Sequence, residues 1–167
     1  MFKQGDYVLY GAQGVFKISD VSKKQIGKTS ADYYTLTSVF GQSTTVLVPT
    51  QNELLVSRLH NVIDKSDAAA LIKDLPCLCA EWINNDTERL KTYREALSSG
   101  DRRATASVLR ALYLERRKRK ETGKKMHNAD EALFTHAKNV LFDELAFAMG
   151  KSREEIEPYI KSSMGEE

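Results

Sequence analysis

The sequence is poor in the residues that usually announce chemistry. Its 167 residues include two cysteines, three histidines and a single tryptophan. Cys77 and Cys79 stand one residue apart, too close for an unstrained bridge, and there is no other cysteine to pair with. A disulfide framework is excluded, which fits a reducing cytosol. His60, His127 and His136 are scattered, so no second ligand pair completes a tetrahedral metal site with the cysteines. Cys77 and Cys79 are therefore expected to be reduced structural thiols, in keeping with how often free cysteine is buried. Nucleophile elbow, phosphate loop, His-Glu-x-x-His and dinucleotide fingerprint are all missing from the sequence. Neither an enzyme nor a cofactor is expected. No apolar run approaches ~18 residues, so no membrane span is expected. The opening Met-Phe-Lys-Gln-Gly-Asp lacks the apolar core of a signal peptide, and the expected location is cytoplasmic. Net charge is only +2, from 25 basic and 23 acidic residues. Whole-chain charge argues against a strong free-standing nucleic-acid binder but leaves room for a local basic patch.

What is present falls into two halves. Residues 1–49 read as short strands. Asp6–Tyr10 is rich in residues that suit a pleated surface. Gly11 and Gly14 bracket a turn, and Val15–Val21 alternates, with Phe16 and Ile18 on one face. Gly27 marks a hairpin loop. Asp32–Phe40 and Thr44–Val48 follow, the last stopped by Pro49, which has no N–H to give a ladder. Several short strands with close turn signals suggest a small SH3- or Tudor-like β-barrel. From about residue 51 the pattern turns helical. Helices are expected over Ser66–Leu75, over Glu81–Ser98 with Ile83, Leu90 and Leu97 on one stripe, and from Asp101 to about Thr122. Gly100 suits the left-handed position after a helix end, and Asp101 the next N-cap. A largely apolar helix to Met149 starts at Asn128, with Glu131 completing a capping box. Ser152 with Glu155 opens a final helix that contains Pro158. The expected fold class is α+β, with a barrel over 1–52 and an all-α helical bundle over 53–167.

Two clusters stand out. Arg110–Lys125 holds eight basic residues against two acidic ones, while the rest of the chain is net acidic. It reads either as a solvated helix end whose cations offset the dipole or as a phosphate-facing patch. At 100° per residue, Trp82, Arg89 and Tyr93 share an arc beside the apolar stripe. Trp82 there is either partly buried core or a ligand contact. Lys91 lies on the opposite side.

The ordered set of motifs resembles the CarD/CdnL family of bacterial transcription regulators. Phe2-Lys3-x-Gly5-Asp6-x-Val8-x-Tyr10, Gly14-Val15, Tyr33-Tyr34-x-Leu36 and Val46-x-Val48-Pro49 resemble its first domain. Trp82, Ser99-Gly100-Asp101, Val108-x-Arg110-x-Leu112 and Leu141-x-x-Glu144-Leu145-Ala146 resemble its second. The first part is also similar to the polymerase-binding module of transcription-repair coupling factors. The resemblance implies a Tudor-like domain that binds the RNA polymerase β subunit, with Lys24, Val46, Leu47, Val48 and Pro49 as its contacts. It implies a helical domain that touches promoter DNA, without sequence specificity and in the minor groove, at the upstream edge of the bubble. Trp82, Arg89, Lys91, Arg116, Arg117, Arg119 and Lys120 are the expected DNA contacts. The implied role is stabilisation of the open promoter complex by a monomer. The pattern departs from the family at Leu47, where a basic residue is common, and at Glu131 and Ala132, where a Lys-Arg pair is common. A ribosome- or RNA-associated module is the alternative, because small barrels with basic helices serve there too.

Overall fold

Alternating apolar residues build the first half of the chain. The computed structural model describes residues 1–79 and 81–164. Strands β1 (Tyr7–Tyr10), β2 (Val15–Ile26), β3 (Thr29–Ser38), β4 (Thr45–Pro49) and β5 (Leu59–Asn61) form one antiparallel, Tudor-like sheet in the order β4-β3-β2-β1-β5. Val8, Tyr10, Phe16, Ile18, Tyr34, Leu36, Val48 and Leu59 close over its inner face. Gly27, at φ 61°, turns β2 into β3, as its position predicts. The sheet outruns the expected boundary at residue 52. Beyond β4, the short helix α1 (Glu53–Val56), capped by Asn52, returns the chain so that β5 can pair with β1.

β1 is buried on both faces, which explains its unbroken apolar run. Leu9 and Val15 point away from the inner face and meet Val140 of the helical half. Tyr7 and Phe147 meet beside them with ring centroids 4.7 Å apart.

The helical half comprises α2 (Lys65–Asp74), α3 (Asp86–Ser98), α4 (Arg102–Glu121), α5 (Asn128–Met149) and α6 (Arg153–Ser163). Their apolar faces share one core, with Leu71, Leu75, Leu97, Leu109, Leu112, Leu141, Leu145, Ile156 and Ile160 at its centre. Several boundaries follow the cap signals. Asp101 accepts the Ala104 amide, and Ser152 with Glu155 forms a capping box. Three expectations need correction. The helix expected from Glu81 begins at Asp86, because Asn85 caps it by accepting the Glu88 amide at 2.9 Å. His127 occupies the N-cap of α5 and makes no side-chain cap bond, so the expected Asn128–Glu131 box does not form. Asp130 and Glu131 lie in the first turn instead, and both are committed to arginines. The third concerns the cysteines. Leu75 and Leu78 take the inward positions around a single 3-10 turn, which leaves Cys77 and Cys79 exposed rather than buried.

The two halves are joined by polar contacts as well as apolar ones. Glu144 of α5 is 1% exposed. Its Oε1 accepts from the Ile63 amide at 2.9 Å and from Arg102 Nε at 2.9 Å. The Arg102 guanidinium also donates to the Asn61 carbonyl at the end of β5. Gly100 adopts φ 75°, and a Cβ built there would stand 2.4 Å from the His60 ring. The position needs glycine both for its backbone and for the close approach of β5. Of the two sheet edges, β5 is thus covered by the helical half. At the other edge, β4 packs against α1.

Candidate functional site

Trp82 is not on a helix. It lies in the irregular segment that leads into Asn85 and α3, and it is half-buried. α3 nonetheless gathers the three residues that helical spacing placed together. Arg89 lies one turn into α3, with its guanidinium 4.3 Å from the centroid of the Trp82 ring. Tyr93, one turn further, lies in an edge-to-face arrangement with Trp82, ring centroids 6.4 Å apart. The carbonyls on either side of Trp82 are both held from α3. Tyr93 Oη donates to the Glu81 carbonyl at 2.7 Å, and Arg89 donates to the Ile83 carbonyl at 2.9 Å.

Arg89 does not face solvent. It is 2% exposed and makes a two-pronged contact with Asp130, itself 1% exposed: Nε to Oδ1 at 2.9 Å and Nη2 to Oδ2 at 2.7 Å. Asp86 takes a further bond at 2.8 Å. The Asp130 carboxylate raises the Arg89 pKa above its ordinary value against the opposing effect of burial, so the group is a fixed cation. Burial raises the Tyr93 pKa, and the phenol stays a donor. The expected contact of Arg89 with phosphate thus falls on a side chain with almost no exposed surface, whose guanidinium faces Asp130, Asp86 and the Trp82 ring. Charge alone hid this, because the partner stands 41 residues away.

The basic run ends α4 at the same end of the bundle. Arg116 bonds to Glu131 at 3.2 Å, next to the Asp130 that holds Arg89, and its guanidinium lies 4.8 Å from the Phe134 centroid. Arg117 pairs with Glu121 and Arg119 with Glu115, both one turn apart. Arg119 also donates to the Lys125 carbonyl, which ties down the turn after α4. Lys91, Lys118 and Lys120 are exposed and, among the described residues, have no ion-pair partner. The uncommitted positive charge thus comes from lysines more than from the arginines of the run. Exposed pairs such as Arg117–Glu121 are weak enough, at ~0.2–1 kcal/mol, to be exchanged for a phosphate.

The residues expected to meet a protein partner sit on and beside the free edge. Leu47 is 39% exposed on β4, and Leu54 of α1 is 80% exposed. Val46 and Pro49 are half-buried, whereas Val48 is fully inside the core and offers only its backbone. Lys24 stands on the part of the β2–β3 hairpin that extends past β4, and its Nζ lies 3.2 Å from Asp20. Hydrogen bonds from Ser22 and Lys24 hold the Asp20 carboxyl below its ordinary range.

Two family models match the chain in the order of its two halves. The model described as CarD-like/TRCF RID domain matches residues 2–60, and that described as CarD, C-terminal domain, matches residues 80–161. The first ends within β5, where the sheet ends, and the second takes in Trp82 and helices α3 to α5. A Tudor-like sheet, a helical half and both matches in sequence order make this chain a member of the CarD/CdnL family of RNA polymerase-interacting transcription factors.

Proposed function

We propose that this protein, as a monomer in the cytoplasm, binds the RNA polymerase β subunit through its sheet and holds promoter DNA open with its helical half. The division of labour we propose follows the fold: residues 1–61 for polymerase and the helical half for DNA. The free edge of β4 supports the first part. An uncovered strand invites pairing with a strand of another chain, with backbone bonds giving affinity and Leu47 and Pro49 giving selectivity. No bond is made or broken in this mechanism. The chain acts by binding alone.

The observation that carries the DNA reading is the mounting of Trp82, a half-buried aromatic backed by a cation and set beside an end of the bundle rich in lysine. An apolar wedge placed against an opened or kinked base step resists its closing, as in minor-groove recognition generally. Phosphate contacts that read no sequence are drawn from Lys91, Arg116, Arg117, Lys118, Arg119 and Lys120. About three or four such contacts bind weakly at physiological salt. Anchoring to polymerase raises the local concentration to about millimolar, which makes weak contacts sufficient. Selectivity for promoters then comes from where the polymerase stands.

The test is heparin-challenged decay of open complexes formed with the wild type and with Trp82→Ala. One base stacked on an aromatic ring is worth ~1–3 kcal/mol, so the variant should shorten the lifetime about five- to 150-fold while still binding polymerase. An unchanged lifetime with a folded variant defeats the DNA reading.

A further inference from the structure

Trp82 sits in an irregular segment, yet three contacts from two residues of α3 hold it and its neighbours. Its ring lies on the Arg89 guanidinium, and the peptide groups before and after it are tied to Tyr93 and Arg89. Arg89 is in turn anchored outside its own helix, by the buried Asp130 in the first turn of α5. A buried guanidinium that served packing alone would need none of this geometry, because an apolar side chain of similar volume fills such a space at no cost in desolvation. Four hydrogen bonds instead fix the guanidinium over the indole, its Cζ 4.3 Å from the ring centroid. An aromatic wedge on an unrestrained segment loses rotamer freedom on binding, and a preset one avoids that loss.

We propose that Arg89, locked by Asp130 and assisted by Tyr93, is the positioning device that presents Trp82 to nucleic acid. This rests on the reading of Trp82 as a DNA contact. It gives the buried pair a role in binding, although neither residue touches the partner.

Trp82 is the one tryptophan in the chain, so its fluorescence reports the clamp with no DNA present. The full-length Asp130→Asn variant keeps the size of the side chain and removes its charge. Its Trp82 should become more accessible to acrylamide and lose anisotropy, and open-complex lifetime should fall about fivefold or more, the lower end of what one stacked base is worth. Arg89→Lys should behave alike, since an ammonium keeps the charge but not the two-pronged bond to Asp130. Wild-type fluorescence and wild-type open-complex lifetime in a folded Arg89→Lys protein overturn the proposal. In a Trp82→Ala background, Asp130→Asn should add nothing to the decay rate, and effects that multiply overturn it as well. So does unchanged fluorescence in a folded Asp130→Asn protein. The DNA reading fails separately: Trp82→Ala then leaves lifetimes unchanged, and the positioning role falls with it even if fluorescence shows a loosened ring. Should Asp130→Asn not fold, Tyr93→Phe removes only the bond to the Glu81 carbonyl. It should loosen Trp82 and shorten the lifetime in part, and wild-type behaviour in both overturns the proposal.

Discussion

Glu144 and Arg102 meet at the junction of sheet and helices, with Arg102 Nη2 2.8 Å from Glu144 Oε1 and the carboxylate almost wholly buried. The same oxygen holds the Ile63 amide just past β5. One side chain thus fastens the sheet half to α5 and to the start of α4.

Glu144→Ala leaves the Arg102 charge and the Ile63 amide without their buried partner. With Arg102 partly exposed, the cost is mainly that of the unsatisfied buried amide, about 1–3 kcal/mol. Chemical denaturation should show that loss, and Glu144→Gln, which can still accept from Ile63, should lose clearly less. Equal losses would mean the carboxylate charge is what matters.

Gly100→Ala meets two obstacles, a positive φ and the His60 ring. The backbone part alone should exceed about 1 kcal/mol. His60→Ala in the same chain should recover the steric part but not the backbone part. A thermal-melting cycle over the four proteins measures this coupling.

Leu47→Asp changes an exposed position on the free edge of β4, so stability should stay within ~0.5 kcal/mol. Affinity for the isolated β subunit, measured by calorimetry, should fall by at least about tenfold. Binding at wild-type strength would move the polymerase contact off β4.

Lys118 and Lys120 are exposed and free of ion pairs among the described residues. Each change to Ala should lower the salt slope of DNA binding by about one and weaken unrelated duplexes alike. Arg89→Ala should act through Trp82 instead, and leave that slope unchanged.

Lys138 and Lys161 lie 2.5 and 3.0 Å from Glu157 and hold its carboxyl below the ordinary range, Lys138 most. A lowered carboxyl contributes stability above its unfolded pKa, and that contribution is lost as pH falls through the folded value. Melting temperatures of wild type and Glu157→Gln should therefore differ at pH 7 and converge below about pH 4.

Much of the architecture could be read from the sequence because its signals are local. Gly27, Pro49, Gly100-Asp101 and Ser152-Glu155 each act within a few residues of themselves. β5 could not be read so. Three residues, Leu59 to Asn61, carry no useful period, and their strand exists only because β1 offers an edge. The start of α3 was legible and masked: Asn85 with Glu88 is a cap signal, but the seven-residue spacing of Ile83, Leu90 and Leu97 runs straight through it. Trp82, Arg89 and Tyr93 do meet, although Trp82 reaches the others from outside the helix. The burial of Arg89 had no local signal, because what decides it is Asp130 on another helix.

α5 holds Arg89 in its first turn, at Asp130, and the sheet at Glu144. Fourteen residues of helix put these points about 21 Å apart at 1.5 Å per residue. The segment between them behaves as a ruler with a phase. One inserted residue would lengthen it by about 1.5 Å and turn one end against the other by about 100°. Either the Asp130–Arg89 pair or the sheet joint would then face the wrong way. Residue number along this stretch is thus under tighter constraint than residue identity on its outer side, and the distance from the sheet joint to the Asp130–Arg89 pair is set by counting.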